Sequence, residues 1–369
     1  MNCKPLNKLT ILLLLATTLC GCGTGQGDRS SAGASSMPDE PSVSVIAPPA
    51  PPEPVLPYVN PLTGEGSLTD MAPNRPIAVM VNNLKKALPQ LGVSQADIIY
   101  EIPAEGGITR MLAVFQSIEG VGEIGSVRSA RDYYVSIAHG HDAIFLHAGG
   151  SPQAYSAIKN WGVTALDCVN GPYEGTLYWR DAQRRKTAGL EHSVLTSGDT
   201  IAELLPTYSR VTLTHKEGYS NPLAFLGADE AAAGQPAQSL SIRYSTYKTG
   251  VFTYNADTGL YLIEQYGAAY VDGNTDEQVA VKNVLVLNTD VSAIKGDSAG
   301  RLSVRTTGTG TGRFFCDGTV QEITWSKKDN ASPFVYTAAH GQPLKLGVGT
   351  TYVNIIGSGA EVTVDPAAK

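Results

Sequence analysis

The chain has 369 residues, a net charge of −7 and 17% charged side chains, and Gly and Tyr are plentiful. An acidic chain lacks the basic surface that nonspecific nucleic-acid binding requires, which argues against a nucleic-acid partner. Its length exceeds one typical hydrophobic core, so two domains are expected.

Lys4 and Lys8 form a positive leader, followed by an apolar run from Leu9 to Leu19. That run is too short to span a bilayer, which takes about 20 apolar residues, but it fits the core of a secretory signal. It ends Leu19-Cys20-Gly21-Cys22, the pattern of a lipidation box. The Cys22 thiolate is the group that takes a diacylglyceryl chain by thioether formation. Residues 1–21 are therefore expected to be a lipoprotein signal peptide. Residues 22–57 are expected to be a disordered Gly/Ser/Pro-rich tether, because such a composition cannot bury a core. Its Pro-rich half extends at about 3.1 Å per residue, so the whole reaches roughly 100 Å. The expected place is the outer face of the cell membrane, with membrane lipid as a partner through acylated Cys22.

From Tyr58 onward strands alternate with helices. Arg75–Val81, Ile98–Ile102, Thr109–Ser117 and Ala143–Ala148 read as strands. Ser129–His139 has apolar residues at helical spacing, and Pro152–Trp161 begins with Ser151 as N-cap and Pro at the first position. Thr200–Pro206 reads as a further helix. Residues 58–214 are thus expected to be an α/β domain with a mixed sheet and helices. Beyond Thr214 short alternating segments dominate, among them 241–244, 251–254, 259–263, 281–287, 302–306, 312–316, 320–325 and 352–356. Residues 215–357 are expected to be a β-rich domain, and 358–369 a tail. After processing, Cys168 and Cys316 are the cysteines free to pair, and two buried thiols are favoured over a disulfide because the chain is large enough not to need a staple. Gly308-Thr309-Gly310-Thr311-Gly312 lacks the Lys-Ser/Thr of a phosphate loop and reads as a turn or bulge.

Several motifs carry a resemblance. They are Arg75-Pro-Ile-Ala-Val-Met-Val-Asn-Asn83, Ser94-Gln-Ala-Asp-Ile-Ile-Tyr-Glu101, Glu105-Gly-Gly-Ile-Thr-Arg110, Gly125-Ser-Val-Arg-Ser-Ala-Arg131 and His147-Ala-Gly-Gly-Ser151. Late in the chain come Ile323-Thr-Trp-Ser-Lys327, His340-Gly341, Pro-Leu-Lys-Leu and Gly349-Thr-Thr-Tyr-Val353. In these the chain resembles the YerB-like lipoproteins of Gram-positive bacteria, over nearly all of its mature length. The resemblance implies two modules behind a lipoprotein signal, and no particular activity. One departure is Ala188-Gly-Leu-Glu-His-Ser193, where similar sequences carry Ala-Pro-His-Asn.

Polar residues gather at the expected strand ends, where open α/β sheets bind ligands. Arg110, Arg128, Ser129, Arg131, Asp132, His147, Gly149 and Gly150 are the candidate ligand-binding residues. Guanidinium forks and exposed amides at a helix start suit phosphate or carboxylate. The competing interpretation pairs those arginines with Glu101, Glu105 or Asp132 in ordinary ion pairs. Glu101, Glu105 and His147 are the candidates for acid–base catalysis. No Gly-x-Ser-x-Gly elbow is present, and the basic run Arg180, Arg184, Arg185, Lys186 precedes His192. His139-Gly140-His141-Asp142 is too weak a pattern for a metal site, so no metal and no cofactor is expected. The leading expectation is a tethered protein that binds an anionic cell-envelope ligand, such as a cell-wall polymer. The alternatives are an enzyme processing envelope glycan or a phosphorylated precursor, and a scaffold docking a membrane enzyme.

Overall fold

The computed structural model describes residues 56–367, so the expected signal peptide, Cys22 and most of the tether lie outside the described residues. The N-terminal region is a mixed sheet with helices: β1 (Ile77–Asn82), β2 (Ile98–Pro103), β3 (Thr109–Phe115), α1 (Asp132–Gly140), β4 (Ile144–His147), α2 (Pro152–Trp161), β5 (Ala165–Asp167), α3 (Ala182–Thr187) and α4 (Gly198–Leu204). The C-terminal region is mostly antiparallel: β6 (Ser239–Arg243), β7 (Thr249–Asn255), β8 (Leu260–Gln265), β9 (Asn283–Asn288), β10 (Gly308–Cys316), β11 (Thr319–Lys327), β12 (Thr351–Ile356) and β13 (Glu361–Asp365), with shorter strands between.

The two regions share one sheet. An 11-stranded sheet runs β11-β10-β9-β12-β2-β3-β1-β4-β5, with Gln235–Pro236 and Val335–Thr337 flanking β11. β12 comes from the C-terminal region yet lies between β9 and β2, parallel to both. The sheet therefore crosses the expected boundary at residue 214 without a break. A 6-stranded sheet built on β8-β7-β6-β13 packs on one face. The segment Glu361–Asp365 was expected in a tail. Instead it pairs residue for residue with Ser239–Arg243, because its alternating Val362 and Val364 pack against that sheet's core.

Burial on both faces explains the continuous apolar strands. In β1, Ile77, Val79 and Val81 face one core, while Ala78 and Met80 face the other. The first core is closed by α4 and the second sheet, and the second by α1, α2 and the Trp325–Phe334–Tyr336 group. Each fully buried aliphatic side chain contributes about 1.5–3 kcal/mol. Ser151 and Ser197 accept the amides of Ala154 and Thr200 as helix N-caps.

Two further expectations are corrected, and the favoured state of the cysteines is met. Helix α1 starts at Asp132, not Ser129. Residues 129–131 stay extended because Ala130 bridges Gly150, and the Ser129 hydroxyl donates to the Ala148 carbonyl at 2.9 Å instead of capping the helix. The glycines at 308–312 form no turn. They lie inside β10, where a Cβ at Gly310 would overlap the Trp325 indole. Cys168 and Cys316 are both buried free thiols. Burial pushes each thiol up to about 12, so both are un-ionised at neutral pH.

Candidate functional site

The carboxyl ends of parallel β1, β2, β4 and β5 lie on one edge of the sheet, and antiparallel β3 begins there. Pairing places Asn82 opposite Arg110 and His147 opposite Asp167. The strand ends thus deliver most of the candidate residues to one rim.

At its centre Arg110 and Arg131 converge on Glu105. Arg110 Nη2 sits 2.5 Å from Glu105 Oε1, Arg131 Nε donates to Oε2 at 3.1 Å, and Arg131 Nη2 also reaches Oε1. Both guanidiniums are buried, with Arg110 3% and Arg131 7% exposed. Backbone carbonyls take further protons: Ser129 O from Arg110 at 2.6 Å and Ala130 O from Arg131 at 2.7 Å. Arg110 Nε is buried and has no hydrogen-bond partner among the described residues. Burial opposes ionisation of Glu105, but the two arginines outweigh it and hold the carboxyl below its usual range. Burial and the nearby Arg131, against Glu105, pull Arg110 down to about 10; Arg128 acts in the same direction.

Arg128 completes the group. Its backbone hydrogen-bonds β1 and the residue after β4, through Met80 O at 2.9 Å and the Ala148 amide at 3.1 Å. Its side chain pairs with Glu191 at 3.0 Å and donates to the Glu191 carbonyl at 2.8 Å. The Glu191 side chain is 73% exposed. His192 follows it, with Nδ1 accepting from the Asn82 amide at 2.7 Å. Burial first, then Arg128 and Lys86, lowers the His192 pKa, so the ring is neutral at pH 7.

His147 lies one strand over and is 1% exposed. Its Nδ1 faces the Gly149 carbonyl at 2.8 Å. A carbonyl only accepts, so Nδ1 carries the proton and Nε2 the lone pair. Asp167, 3.8 Å from Nδ1, straps the Gly149 loop by accepting the amides of Gly149 and Val169 and the Tyr155 hydroxyl. Burial lowers the His147 pKa, against the pull of Asp167. Gly149 holds φ +77° there, a conformation that favours glycine. Asp132 faces away, into a groove of about 430 Å³ between α1 and α2, and burial raises its pKa.

Glu101 does not join this group. It is 1% exposed and its oxygens take Asn83 at 2.8 Å, Thr109 at 2.6 Å, the Lys248 ammonium at 3.1 Å and the Tyr352 hydroxyl at 2.5 Å. Lys248 is buried too and also donates to Gln265. Sequence reasoning missed Lys248 and Tyr352, which reach Glu101 from far along the chain, and Gln265, which accepts from Lys248. It also missed Asp167 and Glu191, although each adjoins a segment it had singled out. His141 bonds Tyr100, and Asp142 holds His215 and the Lys216 amide. Among the described residues, no group of three or more His, Cys, Asp or Glu is placed to hold a metal ion.

Comparison with known proteins agrees with this architecture. Residues 62–209 match "Protein of unknown function (DUF3048) N-terminal domain" and residues 240–353 match the corresponding C-terminal domain. The chain is 33% identical over 305 residues to "Putative lipoprotein YerB" of Bacillus subtilis (strain 168), covering 80% of this chain and 85% of that protein. It also resembles the crystal structure of YerB protein from Bacillus subtilis, with a TM-score of 0.71 and 29% identity, covering 83% of this chain and 99% of the other. The chain belongs to the DUF3048 family, together with YerB.

Proposed function

We propose that this protein is a lipid-anchored binder on the outer face of the membrane, and that Arg110, Arg128, Arg131 and Ser129 receive an anionic group of a cell-envelope ligand. One observation carries the reading. Three guanidiniums gather at the rim against two carboxylates, and one of these, Glu191, is mostly exposed and free to swing away. Among the ion-paired groups the cluster thus keeps one surplus positive charge, with Asp132 acting on Arg131 only from longer range, and Arg110 Nε still lacks an acceptor. Phosphate or carboxylate oxygens supply what that fork needs. The relative's name as a lipoprotein and the Cys22 box support the anchor.

The catalytic alternative has less behind it. Glu101 spends its oxygens on structural partners, Glu105 is claimed by two arginines, and His147 is almost wholly covered.

The test is calorimetric titration of the full chain with inorganic phosphate. Binding that weakens at least tenfold in Arg128→Ala supports the site. No heat in either protein, or equal affinity in both, refutes it.

A further inference from the structure

We propose that the rim site continues into a basic face made by Lys85, Lys86, Arg185 and Lys186, and that its ligand is a linear polyanion carrying several phosphates. This rests on the anion-binding reading of Arg110, Arg128 and Arg131 and names the ligand class for it.

The face is a product of packing. The turn Lys85–Ala87 follows β1 directly, and α3 lies against it. Arg184 joins them, donating to the Ala87 carbonyl at 3.1 Å and the Pro89 carbonyl at 2.6 Å. That leaves Lys85 and Lys86 on the turn, and Arg185 and Lys186 on the helix joined to it, all four exposed. Among the described residues none of the four has a carboxylate within ion-pair distance. On a chain of net charge −7, four exposed cations without an ion-pair partner are a local feature and not a reflection of composition, although Arg185 acts on Glu174 at longer range.

Continuity with the rim is also visible. Lys86 Nζ lies 4.0 Å from where a Gly189 Cβ would stand. His192 feels both Lys86 and Arg128, and Arg128 in turn acts on Arg110. A positive track thus runs from α3, past His192, to the buried arginines.

A flexible polymer suits this surface better than a flat lipid layer. Arg110 and Arg131 are only 3% and 7% exposed, so a narrow chain reaches them more readily than a flat surface does. Leu190 is the one large exposed apolar side chain among residues 82–89 and 182–192. A membrane-docking face would carry more apolar and aromatic side chains for insertion.

The experiment uses the mature full chain in nanodiscs of zwitterionic lipid, with inorganic phosphate and long-chain polyphosphate as probes. Wild type should bind polyphosphate at least tenfold more tightly than phosphate. The exposed quadruple variant K85A/K86A/R185A/K186A should lose at least tenfold in polyphosphate affinity with phosphate affinity unchanged. Its salt slope should fall by roughly three, since each neutralised phosphate contributes slightly less than one. Normal phosphate binding with no gain for the polymer, or a quadruple variant that binds polymer as wild type does, overturns this proposal alone. Loss of binding to both probes in wild type overturns the underlying site as well. In parallel, acetylation of Lys85 and Lys86 is followed by mass spectrometry. Protection by polyphosphate supports the proposal. Protection by anionic nanodiscs in place of polyphosphate assigns the face to the membrane and overturns it.

Discussion

Glu101 and Glu105 stand at the two sides of one strand end, and their surroundings differ in kind. Glu101 is sealed between β3 and β12, with a buried ammonium and three hydrogen-bond donors for its two oxygens. Glu105 lies in the loop beyond, with its side chain 22% exposed, and is held by two guanidiniums, of which Arg110 still has its Nε proton to give. The first carboxylate is saturated and joins the two halves of the chain. The second sits in a group with surplus donors. A carboxylate near a strand end is therefore no sign of chemistry by itself. The balance of donors around it is what separates scaffold from site.

The largest expected effect lies on the scaffold side. Lys248→Met strands a buried carboxylate, and breaking such a pair from one side costs about 3–5 kcal/mol. Urea unfolding should show the loss, and a joint Lys248→Met, Glu101→Leu variant should recover much of it. A single variant as stable as wild type would mean that Glu101 is not held as described.

Asp97 supplies a third carboxylate with no cation beside it. It accepts from the Gln116 amide and from Asn60, each at 2.6 Å. Burial raises its pKa from 3.8 to about 6. A raised folded pKa means that its contribution is fully present below about pH 4 and is lost as pH rises through 6. The shift corresponds to on the order of 3 kcal/mol. The stability difference between wild type and Asp97→Asn should change over that window. A constant difference from pH 4 to 7 would remove Asp97 from the comparison.

Glu105→Gln should be milder, at about 2 kcal/mol, because it removes charge-assisted hydrogen bonds from a partly exposed position. Arg128→Ala should be the mildest. Its partner Glu191 is largely in water, so less than about 1 kcal/mol is expected in thermal or urea unfolding. A larger loss would make Arg128 part of the scaffold.

Much of the fold was legible because local rules governed it. The apolar run of β1, the Ser151 cap with Pro152, and the alternation in β7 and β8 all appear where the sequence places them. The shared sheet was not legible, since nothing local to Thr351–Ile356 says that it inserts beside Ile98–Pro103. The start of α1 was misplaced for the same reason: Ala130 is held extended by Gly150, a tertiary contact that overrides helical spacing. At the rim, the motifs offered Arg110, Arg128 and Arg131 as candidates for binding and Glu105 as a candidate for catalysis, and the fold brings these four together. It could not tell that Glu101 belongs with Lys248, which is distant in sequence.

The central claim is that the three rim arginines offer more charge and more donors than Glu105 and Glu191 use, and that an external anion takes the remainder. Its most direct test is the phosphate affinity of Glu105→Gln. Removing the internal competitor frees two guanidiniums, so phosphate should bind more tightly than to wild type. Affinity that stays the same or falls would contradict the account.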